Sequence, residues 1–155
     1  MGISLSRVTS GPQVDDRLQT DIEGVFACGN VLHVHDLVDH VSEEAALAGE
    51  SAAVYLQKQK TSVPHKVTIN AENGVRYTVP QSLDIDNMKD TVTVRFRVAD
   101  IYRDRAIVVC YDGTEVMRRK KKIMAPGEME QVILKKSSFS DFPALKEITV
   151  RTEAE

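Results

Sequence analysis

The chain has little cysteine, and the two it carries, Cys28 and Cys110, lie far apart in unlike surroundings. That excludes a CxxC redox pair and a disulfide framework, and it fits a reducing compartment. No run approaches the roughly 18 to 20 apolar residues of a membrane span, and the stretch MGISLSRVTSGPQ has no signal-peptide apolar core. A cytoplasmic protein without membrane contact is expected. Positive charge is not in excess either: the net charge is −3, which removes any global electrostatic attraction for nucleic acid. The one basic run, MRRKKK at 117–122, lacks aromatic neighbours, so it reads as a charged edge strand and not as a nucleic-acid patch.

What is present is the composition of a folded protein, 42% hydrophobic and 28% charged, in two stretches of different grammar. Residues 1–60 carry nine acidic against four basic side chains, while residues 61–155 carry fourteen against sixteen. The polar join KQKTSVPHK (58–66), which holds Pro64, predicts a boundary between a unit at 1–60 and a unit at 61–155. Before the boundary, Val38, Val41, Ala45, Ala48, Ala52 and Leu56 recur at helical spacing. They predict a helix over 36–57 with an alanine-rich buried face, and Gly49 beside it would let a neighbour approach closely. An uncovered face of this kind predicts self-association into a homo-oligomer.

After the boundary the apolar period becomes two, as in TVTVRFRVA at 91–99. Asn73-Gly74 and Asp112-Gly113 sit between strand-like runs as hairpin signals, and APGEM at 125–129 makes a further turn. About seven short strands result, the pattern of an antiparallel immunoglobulin-like sandwich. The expected fold class is therefore α+β, with short strands and one helix followed by an all-β unit.

Three of the four histidines fall in VFACGNVLHVHDLVDHVSEEA, residues 25–45. His33, His35, Asp36, Asp39 and His40 are metal-capable residue types, but no second cluster completes a ligand set and there is no HExxH motif. The expectation is no metal site. Cys28 with a histidine base would make a nucleophile, yet GVFACGN reads as a buried strand entering a tight glycine turn, where a cysteine is inert packing. The order strand, glycine turn, loop, helix also leaves the backbone N–H groups near Asp39–Ser42 as a positive helix end suited to part of a cofactor.

TDIEGVFACGN (20–30), followed by a helix bearing AGESAA, resembles the last flavin-binding segment of the pyridine nucleotide-disulfide oxidoreductase superfamily. GPQVDDRLQT and FACGNVLHVHDLVDHVSEEA look closer still to an FAD-dependent oxidoreductase branch of it, over about residues 1–58. The resemblance implies FAD as cofactor, with Gly29 and Asn30 at the ribityl and phosphate region and Asp39, His40, Val41 and Ser42 at the flavin edge. Asn30 stands where the family has an acid; its amide oxygen is expected to accept the ribityl hydrogen bond without charge assistance. His33, His35 and His40 are candidate substrate-facing acid or base groups, although lining or packing is the stronger expectation, and no catalytic residue is assigned.

The chain has no G-x-G-x-x-G motif for FAD or for a nicotinamide cofactor. It therefore looks like the C-terminal piece of a larger flavoprotein with an appended β unit, with NAD(P) bound in the missing part and no catalysis by this piece alone. Its partner would be the remainder of the flavoprotein or an electron-transfer subunit. The alternative is a non-catalytic assembly module built on the β unit.

Overall fold

The structure, a computed structural model, describes residues 2–57 and 64–154. It is mixed α+β, with one helix, α1 (Val38–Leu56), and eight strands: β1 (Lys66–Ala71), β2 (Val75–Val79), β3 (Ser82–Asp84), β4 (Thr91–Val98), β5 (Tyr102–Tyr111), β6 (Thr114–Met124), β7 (Glu130–Lys135) and β8 (Glu147–Ala154). Five strands form one sheet in the order β3-β1-β8-β5-β6, and three form the other in the order β2-β4-β7. All pairings are antiparallel except β1 with β8, which is parallel. Among the described residues no helix is long and apolar enough to cross a membrane.

The two sheets share one apolar core because alternate residues of their strands point the same way. Val92, Val94, Phe96 and Val98 of β4 meet Ile107, Val109 and Tyr111 of β5 and Ile148 and Val150 of β8, all buried. The Asp112-Gly113 signal gives a true hairpin: both residues have positive φ, 44° and 83°, and Tyr111 pairs with Thr114. β6, which carries the basic run, is an edge strand as expected. Its Arg118 pairs with Glu115 and Glu153, and Arg119 and Lys121 reach Glu130.

Asn73-Gly74 turns as expected, with positive φ at both residues, but it makes no hairpin. β1 lies in the larger sheet and β2 in the smaller, so this turn is a corner between sheets. The local dipeptide specifies the reversal; tertiary packing decides which strand receives the partner. The predicted strand at GVFACGN is also absent. Residues 2–37 hold isolated bridges only (Leu5 with Pro12, Val14 with Thr20, Gln19 with Phe26), so there is no ladder for Cys28 to enter. The predicted join at 58–66 lies mostly outside the described residues.

A bulge links this irregular segment to the β-sheets. β2 pairs Val75 with Val98 and then Tyr77 with Arg97, so Arg76 is an extra residue. An inserted residue moves the following side chains to the opposite face. Val75 therefore faces the inter-sheet core, while Tyr77 and Val79 face outward and join Val14, Leu18, Leu32 and Ala48 in a second, smaller apolar cluster. Gly11 permits the tight packing here, since a Cβ on it would lie 2.3 Å from the Val31 carbonyl oxygen and 2.4 Å from that of Leu32.

The buried stripe of α1 differs from the expected one. Val38 and Leu56 are exposed, at 75% and 79%, and the inward side chains are Glu44, Ala48 and Ser51, flanked by Val41 and Tyr55. Polar pairing to β4 pulls the helix round so that an acid faces in. Gly49 has no neighbour within 4 Å of a notional Cβ and admits no close approach.

Candidate functional site

The site is built where the turn at residues 29–31, the loop 32–37 and α1 lie over the outer face of β2 and β4. Gly29 has φ +74°, a conformation that favours glycine, and its N–H donates to Glu44 Oε2 at 2.9 Å. A Cβ on Gly29 would sit 3.3 Å from Val41 Cγ1, so the turn and the first turns of α1 are in direct contact. Arg97 anchors the loop by donating to the Val34 carbonyl at 2.9 Å and to the Asp36 carboxylate, which also accepts from Met129 N–H at 2.6 Å. Partial burial raises the Asp36 pKa, but these hydrogen bonds outweigh it and hold the carboxyl below its ordinary value.

Behind the loop lies a buried polar knot. Glu44 Oε1 is 3.3 Å from His33 Nε2, 2.8 Å from His35 Nε2 and 3.4 Å from an Arg95 nitrogen. His33 Nδ1 lies 3.4 Å from the Tyr77 hydroxyl, and the two rings meet edge to face. Arg95 also pairs with the exposed Glu43. Burial acts to raise the Glu44 pKa, yet the Gly29 N–H and the neighbouring His33 and His35 rings prevail and bring it down to about 2, so Glu44 is a carboxylate. Burial also depresses His33, more than Glu44 raises it, and His33 stays neutral near pH 7.

Of the residues expected at a cofactor, Gly29, Asn30, Asp39, His40, Val41 and Ser42 are all brought to one end of α1. Their details differ from expectation in two places. The Asn30 amide oxygen already accepts from His35 N–H at 3.2 Å and faces His35 Nδ1 at 3.3 Å, so it is engaged within the loop. Ser42 Oγ donates to the Val38 carbonyl at 3.2 Å, so its hydroxyl is used within the helix. No side chain caps α1 at Leu37, and the buried His40 Nδ1 has no partner. Cys28 lies at the rim of the smaller apolar cluster with Phe26 and Ala27.

Glu44, Arg95 and Tyr77 were not singled out from the sequence. The available signal was the spacing 41, 44, 48, 51, 55, a helical stripe in which one member is an acid. A buried acid requires a donor, and β4 offers Arg95 on its polar face. A cleft of about 310 Å³ adjoins the knot between α1 and β4, lined among others by Asp16, Arg17, Glu43, Glu44, Ser51 and Arg95.

Comparison of the chain with protein-family models, with curated proteins and with solved structures finds no match in any of the three. Fold and site therefore define the chain as an α+β protein whose candidate site joins a helix N-terminus to a buried His-Glu-Arg knot.

Proposed function

We propose that this chain supplies the ribityl and flavin-edge contacts of an FAD-dependent, NAD(P)H-linked oxidoreductase and is not catalytic alone. The observation that carries the reading is the uncapped N-terminus of α1, set against the Gly29-Asn30 turn and the unpartnered His40 Nδ1. Free N–H groups at a helix end attract the electron-rich edge of a ring system and an anion that forms there. A bound flavin supplies the hydride and electron chemistry. The chain's own residues bind and orient: Asn30 Nδ2 donates to a ribityl hydroxyl, the free backbone N–H groups of Val38 and Asp39 in the first turn of α1 face the ring edge (the His40 N–H is already donated to the Leu37 carbonyl), and His40 Nδ1 meets a polar atom of the ligand. The nicotinamide cofactor belongs to the remainder of the protein or to a partner subunit, and the compartment is the cytoplasm.

In the flavin-loaded native protein, Asn30→Ala and His40→Ala should each speed FAD loss on dialysis roughly tenfold, about 1.4 kcal/mol per lost hydrogen bond. Unchanged retention in both variants would remove these residues from the flavin site.

A second reading, a non-catalytic assembly module, is favoured by a run of exposed apolar side chains beside the site: Val31, Val34, Leu37 and Val38, each more than half exposed. On that reading the two facing sheets are an immunoglobulin-like sandwich serving as a docking unit. The apolar run is covered by a partner or by a second copy of the chain. Flavin release from the native protein separates the two readings.

A further inference from the structure

His35 presents a lone-pair problem that a cation solves. The Asn30 amide oxygen is fixed as an acceptor, because it takes the His35 backbone N–H; the ring nitrogen Nδ1, 3.3 Å from that same oxygen, must therefore be the protonated one in neutral imidazole. Nε2 is then left with its lone pair aimed at the Glu44 carboxylate, 2.8 Å away, and it makes no hydrogen bond of acceptable geometry although it is fully buried. Two lone pairs at that distance repel unless something positive sits between them. His33 Nε2 is directed at the same oxygen from 3.3 Å.

We infer that His33 Nε2, His35 Nε2 and Glu44 Oε1 form a binding site for a first-row divalent transition-metal ion such as Zn(II) or Fe(II). The three side chains place donor atoms within 4.8 Å of one another. Metal bonds of about 2.0 to 2.1 Å give donor–donor edges of about 2.9 Å in an octahedron and about 3.3 Å in a tetrahedron. The observed 2.8 and 3.3 Å separations lie close to these two values without selecting one geometry. Two neutral imidazoles with one carboxylate are a donor set that suits zinc and non-haem iron and leaves coordination positions for water or substrate.

The surrounding groups support each ligand in the way metal sites require. His35 Nδ1–H donates to Asn30, His33 Nδ1 faces the Tyr77 hydroxyl at 3.4 Å, and Glu44 Oε2 accepts from Gly29 N–H at 2.9 Å. Arg95 is the competing cation, but its contact with Glu44 is long, 3.4 Å, and it has Glu43 as a second partner. The ligand set, H-x-H followed by an acid on the second turn of a helix, is independent of the flavin reading and stands or falls separately.

The test uses the full chain stripped with a chelator and titrated with Co(II), followed by visible d–d absorption, and with Zn(II) against a chromophoric competitor. The expected result is one ion per chain at micromolar affinity or tighter, a rise in Tm with Zn(II), and loss of both signals in His35→Ala and Glu44→Gln that keep the parent far-UV spectrum. The wild-type titration needs no variant to decide the matter. Absence of d–d bands and of Zn(II) competition would overturn the inference, as would binding of equal strength in folded His35→Ala.

Discussion

The two faces of β4 belong to two different kinds of interior. Toward the larger sheet its Val92, Val94, Phe96 and Val98 join the main apolar core, and the last three have no exposed surface. On the other face Arg95 and Arg97 meet Glu43, Glu44 and Asp36, beneath a segment with isolated bridges in place of a ladder. The apolar side is held by non-directional burial, and many sequences of similar volume would fill it. The polar side depends on particular donor and acceptor pairs, each of which is costly to leave unmatched. That is the kind of region in which chemistry is kept at the expense of packing.

The largest expected effect comes from breaking the apolar side. Phe96→Ala should cost about 4 kcal/mol in urea unfolding through lost transfer energy and a cavity. The flank of the polar side should show next, through pH. Burial raises the Asp16 pKa to about 6 from 3.8, more than its hydrogen bond from Asp84 N–H lowers it. Between those values the folded chain keeps a proton that the unfolded chain has released, so stability falls as pH rises through the window, by roughly 3 kcal/mol. Asp16→Asn can still accept from Asp84 N–H and should lack that fall, which the difference between the two proteins in unfolding from pH 4 to pH 8 measures directly.

Arg95→Met should cost about 2 kcal/mol, because Glu44 loses a cation but keeps the Gly29 N–H and the contact with His33. A cost equal to that of Phe96→Ala would mean that Arg95 alone holds the knot together. The smallest effect is expected at Ile133, which is 49% exposed on the solvent side of β7. Ile133→Thr should change stability by less than about 0.5 kcal/mol, the figure for a surface position without special contacts.

The apolar side was the legible one. TVTVRFRVA announces its strand by alternation alone, and Asp112-Gly113 announces its hairpin, because both signals are local and agree with the tertiary arrangement. Asn73-Gly74 carried an equally strong signal and misled, since the turn delivers the chain to the other sheet. The helix was legible in extent, within two residues at its start and one at its end, but its face was not. Ranking apolar residues put Val38 and Leu56 inside; the structure puts Glu44 there, because Arg95, His33 and the Gly29 N–H satisfy a buried acid that hydropathy would place in water. For the same reason Glu44 was not set beside His33 and His35: it lies in the same stretch, 25–45, but as an acid on a helix it was expected in water, and α1 folding back over the loop turns it inward. The glycine turn at Gly29 was readable, whereas its contact with Val41 of α1 and the occupation of the Asn30 amide oxygen by His35 were not.

The measurement that bears most directly on the central claim is the mass and flavin content of the native protein, captured from its source with an antibody against this chain. The account predicts a species well above 17.2 kDa that releases one FAD per chain on denaturation. A flavin-free species of 17.2 kDa would contradict it.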